Sequence, residues 1–139
     1  SAPLSATDGL VTRTRNLPLG IYVADCAPVF IVDPQTPAIG LVHSGKNGAA
    51  LNITGKAIKL MVQAFKSRSE NLAVFIGPCI HSDHYDCDIP GQIIAQCQAE
   101  GVKNVSDSGI CTGCHTERYY SYRVEKGRTG RMLAVLMIQ

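Results

Sequence analysis

The sequence has no tryptophan, and only 6% aromatic and 17% charged residues among its 139 positions. Thirteen Lys and Arg stand against eleven Asp and Glu, a formal charge of +2. A balance this close to neutral gives no support to a nucleic-acid partner or a membrane-surface role. No apolar run approaches the roughly 18 residues that a membrane span needs, so no membrane partner is expected. The stretch Ser1-Ala2-Pro3-Leu4 lacks the basic region and apolar core of an export signal. Reduced thiols and a cytoplasmic setting are therefore expected for the six cysteines. Sparse charge beside 45% apolar content excludes intrinsic disorder. The length suits a single domain over 1–139.

Short β-branched runs at 19–24, 28–33, 38–43 and 72–76 predict buried strands. Asp33-Pro34-Gln35-Thr36-Pro37 has the composition of a tight turn, which makes the second and third runs a hairpin. Ser44-Gly45-Lys46-Asn47-Gly48 reads as a small-residue loop, with Asn52 or Thr54 placed to cap the next helix. Over 55–68, Ile58, Met61, Val62 and Phe65 recur at helical spacing and predict an amphipathic helix. A second helix is predicted over 91–100, stopped by Gly101 and with Cys97 in its core pattern. The apolar run 132–138 predicts a central strand. Continuous apolar strands need cover on both faces, so the expected fold is mixed α/β, layered β-sheets covered by helices.

Four constellations bear on chemistry. Cys26, in Ala24-Asp25-Cys26-Ala27-Pro28, and His43 stand at the ends of neighbouring predicted strands. Such a pair suits a shared metal, or a thiolate and its base, although on residue type alone a buried Cys and a hydrogen-bonded core His outweigh a site. Cys79, His81, His84 and Cys87, interleaved with Asp83, Asp86 and Asp88, lie too close together to wrap one ion unaided. Cys111-Thr112-Gly113-Cys114-His115 fits the C-x-x-C-H pattern of haem attachment and half of a zinc ribbon, the other half of which would have to come from 79–87. Arg118, Arg123, Arg128 and Arg131 accompany Tyr119, Tyr120 and Tyr122. Guanidinium forks bind oxyanions in pairs, but Arg128 and Arg131 read as a solvated loop, while Tyr122 and Arg123 stand evenly between a site and such a loop.

In order, Asp8-Gly9-Leu10-Val11-Thr12, VADCAPV at 23–29, HSGKNG at 43–48, IGPCI at 76–80, CTGC at 111–114 and YYSYRVEKGRTGRML at 119–133 resemble the YfiH-type laccase-domain family. Its members are described as polyphenol oxidases and as purine nucleoside phosphorylases with adenosine deaminase activity. The resemblance implies helices outside packed β-sheets and a catalytic zinc held by two His and one Cys. Cys26 matches the Cys ligand and His43 one His ligand. The remaining His belongs to a Gln-Val-His-Gly segment upstream of the region matching Asp8, and that segment is absent here, which leaves His81, His84 and His115 as candidate substitutes. Where family members often read His-Ala-Gly-Trp-Arg-Gly, Lys46 and Asn47 stand in place of a stacking ring and an Arg fork.

The leading expectation is a zinc-dependent purine nucleoside enzyme acting by phosphorolysis, with deamination as a further activity. Its partners are small molecules, a nucleoside and phosphate. Arg123 and Lys46 would hold the phosphate, with Asn47 and Tyr122 on the substrate, while Asp25 would orient a ligand or relay a proton. Three alternatives remain open. Copper could replace zinc in a phenol oxidase, although four His are few for multicopper chemistry. Cys26 and His43 could form a metal-free thiol hydrolase. The chain could also be a non-catalytic fragment.

Overall fold

The computed structural model describes residues 4–139. Its centre is the antiparallel hairpin of β1 (Ala27–Asp33) and β2 (Ala38–Ser44). Asp33 shapes the connecting turn. Its carboxylate accepts the backbone N–H groups of Gln35 at 3.0 Å and Thr36 at 3.3 Å, together with the Thr36 hydroxyl. Strand β3 (Gly9–Thr12) pairs antiparallel with β2, and β4 (Ala73–Ile76) pairs antiparallel with β1. A fifth strand, β5 (Asn104–Asp107), runs parallel to β4 and gives the order β3-β2-β1-β4-β5. Parallel neighbours need a crossover, here supplied by α1 (Ile89–Ala99).

Both faces of the hairpin are covered, which accounts for its unbroken apolar sequence. On one face Val29, Ile31 and Val42 meet Ile58 and Met61 of α2 (Ile53–Phe65) and Ile93 and Cys97 of α1. On the other, Ile39 and Leu41 meet Leu19 and Ala134 from a two-stranded ribbon, β6 (Leu19–Val23) and β7 (Met132–Leu136). The order of layers is therefore helices, five-stranded sheet, ribbon, in agreement with the expected mixed α/β class.

Several expectations need correction. The 132–138 run is not a central strand, because β7 has only β6 as a neighbour and leaves Leu133 56% and Val135 52% exposed. Residues 46–50 are not loop but a short helix, α3 (Lys46–Ala50). In α2, Val62 turns outward while Thr54, Ala57, Ile58 and Met61 bury. The stripe follows Thr54, Ile58, Met61 and Phe65, and the extra 100° from Met61 to Val62 leaves it. Asn52 sits before that helix in a left-handed conformation and makes no side-chain cap, and Thr54 lies inside it. By contrast α1 is capped by Asp88, whose carboxylate accepts the Gly91 N–H at 3.1 Å, with Pro90 in the first turn where its missing N–H costs nothing.

No helix among the described residues is long and apolar enough to cross a membrane. Ile58 is fully buried between α2 and the sheet, so Ile58→Ala should destabilise the fold by about 2–5 kcal/mol in urea unfolding. Val62→Ala should stay within about 0.5 kcal/mol. Equal losses at the two positions would contradict this assignment of the helix face.

Candidate functional site

The corner between β6 and β1 is Ala24-Asp25-Cys26, and Asp25 holds it in place. Its backbone has φ 99°, a conformation costly for a residue with a Cβ, by about 1–3 kcal/mol. Hydrogen bonds from three directions fix it. The buried carboxylate accepts the Thr112 hydroxyl at 2.7 Å through Oδ1 and the Arg123 backbone N–H at 2.7 Å through Oδ2. The Asp25 carbonyl accepts the Ile80 N–H at 2.8 Å. Segments up to 98 residues away in sequence thus close on one side chain.

Strand register then sets Cys26 beside His43. Pairing of Ala27 with Ser44 and Pro28 with His43 puts Cys26 across from Gly45. Alternate residues share a face of a strand, so His43 and position 45 face the same way. The Cys26 sulfur leans over the bare backbone of Gly45; a Cβ there would stand 2.5 Å from Sγ. Burial, followed by the nearby Asp25 and Asp8 carboxylates and Cys87, pushes the Cys26 thiol above its ordinary pKa. His43 Nδ1 lies 4.0 Å from Asp8 Oδ1.

Both side chains line a cavity of about 480 Å³. Lys46, Arg123, Lys126 and Arg131 bring four cations to its wall, and Tyr22, Tyr85 and Tyr122 bring three rings. The Arg123 guanidinium lies over the Tyr85 ring at 5.2 Å from its centroid, and Arg131 lies over Tyr122 at the same distance. Each contact orients a guanidinium over a ring face. Lys46 Nζ instead meets Asp86 Oδ2 at 2.7 Å. That hydrogen bond raises the ammonium's pKa and lowers the carboxylate's.

Of the residues expected from sequence, Asp25, Cys26, His43, Lys46, Tyr122 and Arg123 line this cavity, whereas Asn47, exposed on α3, does not. Arg131, read as solvated loop, is exposed outside the strands and lines the cavity as well. Tyr22, Tyr85 and Lys126 were not foreseen, since no local pattern marks them. None of His81, His84 and His115 lines the cavity. His84 packs against Gly113, where a Cβ would come within 2.9 Å of its ring, and His115 Nδ1 lies 3.3 Å from Glu117. Cys111 is buried and Cys114 exposed, with Cys114 Sγ 3.7 Å from Asp83 Oδ2.

Among the described residues no three or more His, Cys, Asp or Glu side chains gather to hold a metal. The zinc-ribbon expectation for 79–87 and 111–114 is corrected accordingly. A catalytic zinc needs three protein donors and an open position. Cys26 and His43 supply two, so the donor set described here does not by itself fit that ion.

Gly45→Ala should strain the approach of Cys26 and cost about 1–3 kcal/mol in urea unfolding. Gly9→Ala, with open contacts of 3.4 Å and beyond, should cost less. A smaller loss at position 45 would contradict the packing of the sulfur on that backbone.

Comparison with known proteins accords with this architecture. The multi-copper polyphenol oxidoreductase laccase family matches residues 1–88 and 81–139. A purine nucleoside phosphorylase of Clostridium acetobutylicum is 31% identical over 94% of this chain and 66% of its own length. The purine nucleoside phosphorylase YlmD of Bacillus subtilis is 26% identical over 96% of this chain and 59% of its own. Among solved structures, the hypothetical protein YfiH of Bacillus licheniformis superposes with a TM-score of 0.94 at 26% identity, covering 96% of this chain and 62% of that one. YlmD from Geobacillus stearothermophilus gives 0.91 at 27%, covering 95% and 61%. The chain thus spans about three-fifths to two-thirds of these relatives. Alignment with the Clostridium protein runs over 156 positions, more than the 139 residues here, so that relative carries internal residues this chain lacks. The two stretches matched to the family meet at 81–88. With matches along its whole length and this fold, the chain belongs to the multi-copper polyphenol oxidoreductase laccase family, the YfiH type that its ADC, HSG and GRTGR segments resemble.

Proposed function

We propose that the cavity beside Cys26 and His43 binds a purine nucleoside with phosphate and cleaves the glycosidic bond by phosphorolysis. The observation that carries this reading is the meeting of Lys46, Arg123, Lys126 and Arg131 with three tyrosine rings in one cavity of about 480 Å³. Rings suit a flat heterocycle, cations suit an oxyanion, and the volume falls within the range of small-molecule sites. The names of the Clostridium and Bacillus relatives support the same substrate class.

In phosphorolysis a phosphate oxygen attacks C1′ of the ribose. The bond from C1′ to the base nitrogen breaks, and the purine leaves with that electron pair and takes up a proton. Arg123 offers the phosphate a planar fork held over Tyr85, while Lys46 offers a point charge. Placing both near the developing charge stabilises the transition state. Asp25 acts at one remove, since its carboxylate fixes the backbone of Arg123 and the Thr112 turn. Asn47 is given no role.

A zinc ion, where a third donor completed the set of Cys26 and His43, would supply a Lewis acid and an activated water, the requirement for adenosine deamination. Two donors fall short of that set, so no step is assigned to a metal. Copper oxidation of phenols meets the same shortage. A metal-free thiol hydrolase is disfavoured because burial and the neighbouring carboxylates push the Cys26 thiol up, against the thiolate that such a nucleophile needs.

The test is release of hypoxanthine from inosine, followed by chromatography with and without inorganic phosphate. Release should require phosphate, and Arg123→Ala should lower kcat/KM about 100-fold. Release independent of phosphate, or an undiminished rate in the variant, would overturn the reading.

A further inference from the structure

The segment between Ile80 and α1 is where the two family matches overlap. Residues 81–88 deliver two side chains to the anion end of the cavity. Tyr85 lies under the Arg123 guanidinium, and Asp86 lies 2.7 Å from the Lys46 ammonium. The base of the strap is fixed, because Asp88 caps α1 through the Gly91 N–H.

From this arrangement we infer that Asp86 is a built-in competitor for the anion, its carboxylate occupying Lys46 until a phosphate displaces it. The inference rests on reading the cavity as a phosphate site. A carboxylate and a phosphate oxygen are alternative acceptors for the same ammonium protons. Both partners of the pair are more than half exposed, Lys46 at 53% and Asp86 at 60%, so their bond is weak enough to exchange. Arg123 and Arg131 stack on rings instead, and Asp86 reaches Arg123 through its charge alone. Displacement is therefore centred on Lys46, and Asp86 sets how much anion is needed to fill the site.

Titration of inorganic phosphate into the full chain, followed by calorimetry at fixed ionic strength, tests this. Asp86→Asn should tighten phosphate binding by about 3- to 5-fold, as expected for an exposed ion pair, and Lys46→Ala should weaken it. In the Lys46→Ala background, Asp86→Asn should give a clearly smaller gain, because the hydrogen bond that holds the competitor is to that ammonium. An unchanged or weakened affinity in Asp86→Asn, or a gain undiminished without Lys46, would overturn the inference while a loss in Lys46→Ala still upheld the phosphate site. Equal binding by wild type and Lys46→Ala would overturn the inference, and no binding by any variant would overturn both.

Discussion

The site depends on one buried carboxylate with two acceptor oxygens used in different directions. Asp25 takes a hydroxyl from the turn at Thr112 on one side and a backbone N–H from Arg123 on the other. Removing either donor would leave a buried charge short of a partner, at a cost of about 1–3 kcal/mol. The same residue accepts a positive φ that Gly would tolerate better. Strain at this corner is offset by hydrogen bonds to an ionised group, which are among the stronger ones in proteins. What the corner gains is placement, since Cys26 follows immediately and Arg123 is tied to the same oxygen pair.

The three layers serve that placement. Helices α1 and α2 cover one face of the sheet and the β6–β7 ribbon covers the other, which keeps the β1–β2 hairpin rigid where it ends at Cys26 and His43. Reactive side chains at the tips of rigid strands are held more closely than on free loops. Gly45 contributes by having no side chain, which lets the sulfur come down onto the strand. Opposite this rigid wall stand the more exposed elements, the 81–88 strap and the 118–131 segment with its two stacked arginines.

Local signals made much of this legible in the sequence. The hairpin followed from β-branched runs around a Pro-rich turn, at whose head Asp33 accepts the Gln35 and Thr36 N–H groups. That Cys26 and His43 line one cavity followed from strand ends, and a resemblance spread over six segments identified the family before any coordinates. Strand β5 escaped notice because Asn104-Val105-Ser106-Asp107 has one apolar residue and takes its pairing from β4. Arg131 read as solvated because its partner, the Tyr122 ring, lies nine residues back across an irregular turn. Asp86 read as one carboxylate interleaved in a loose ligand cluster and Tyr85 carried no signal, and only tertiary structure directs them to Lys46 and Arg123. The extended apolar run at 132–138 looked central because sequence reports apolarity, not the number of neighbouring strands.

A double-mutant cycle on Asp25→Ala and Thr112→Val, with stability read by urea unfolding, tests the organising role of the carboxylate most directly. The structure predicts that the two losses are coupled by about 1–3 kcal/mol, since each substitution removes the same bond. Losses that add to within about 0.5 kcal/mol would show that the two side chains act independently, and would contradict the account.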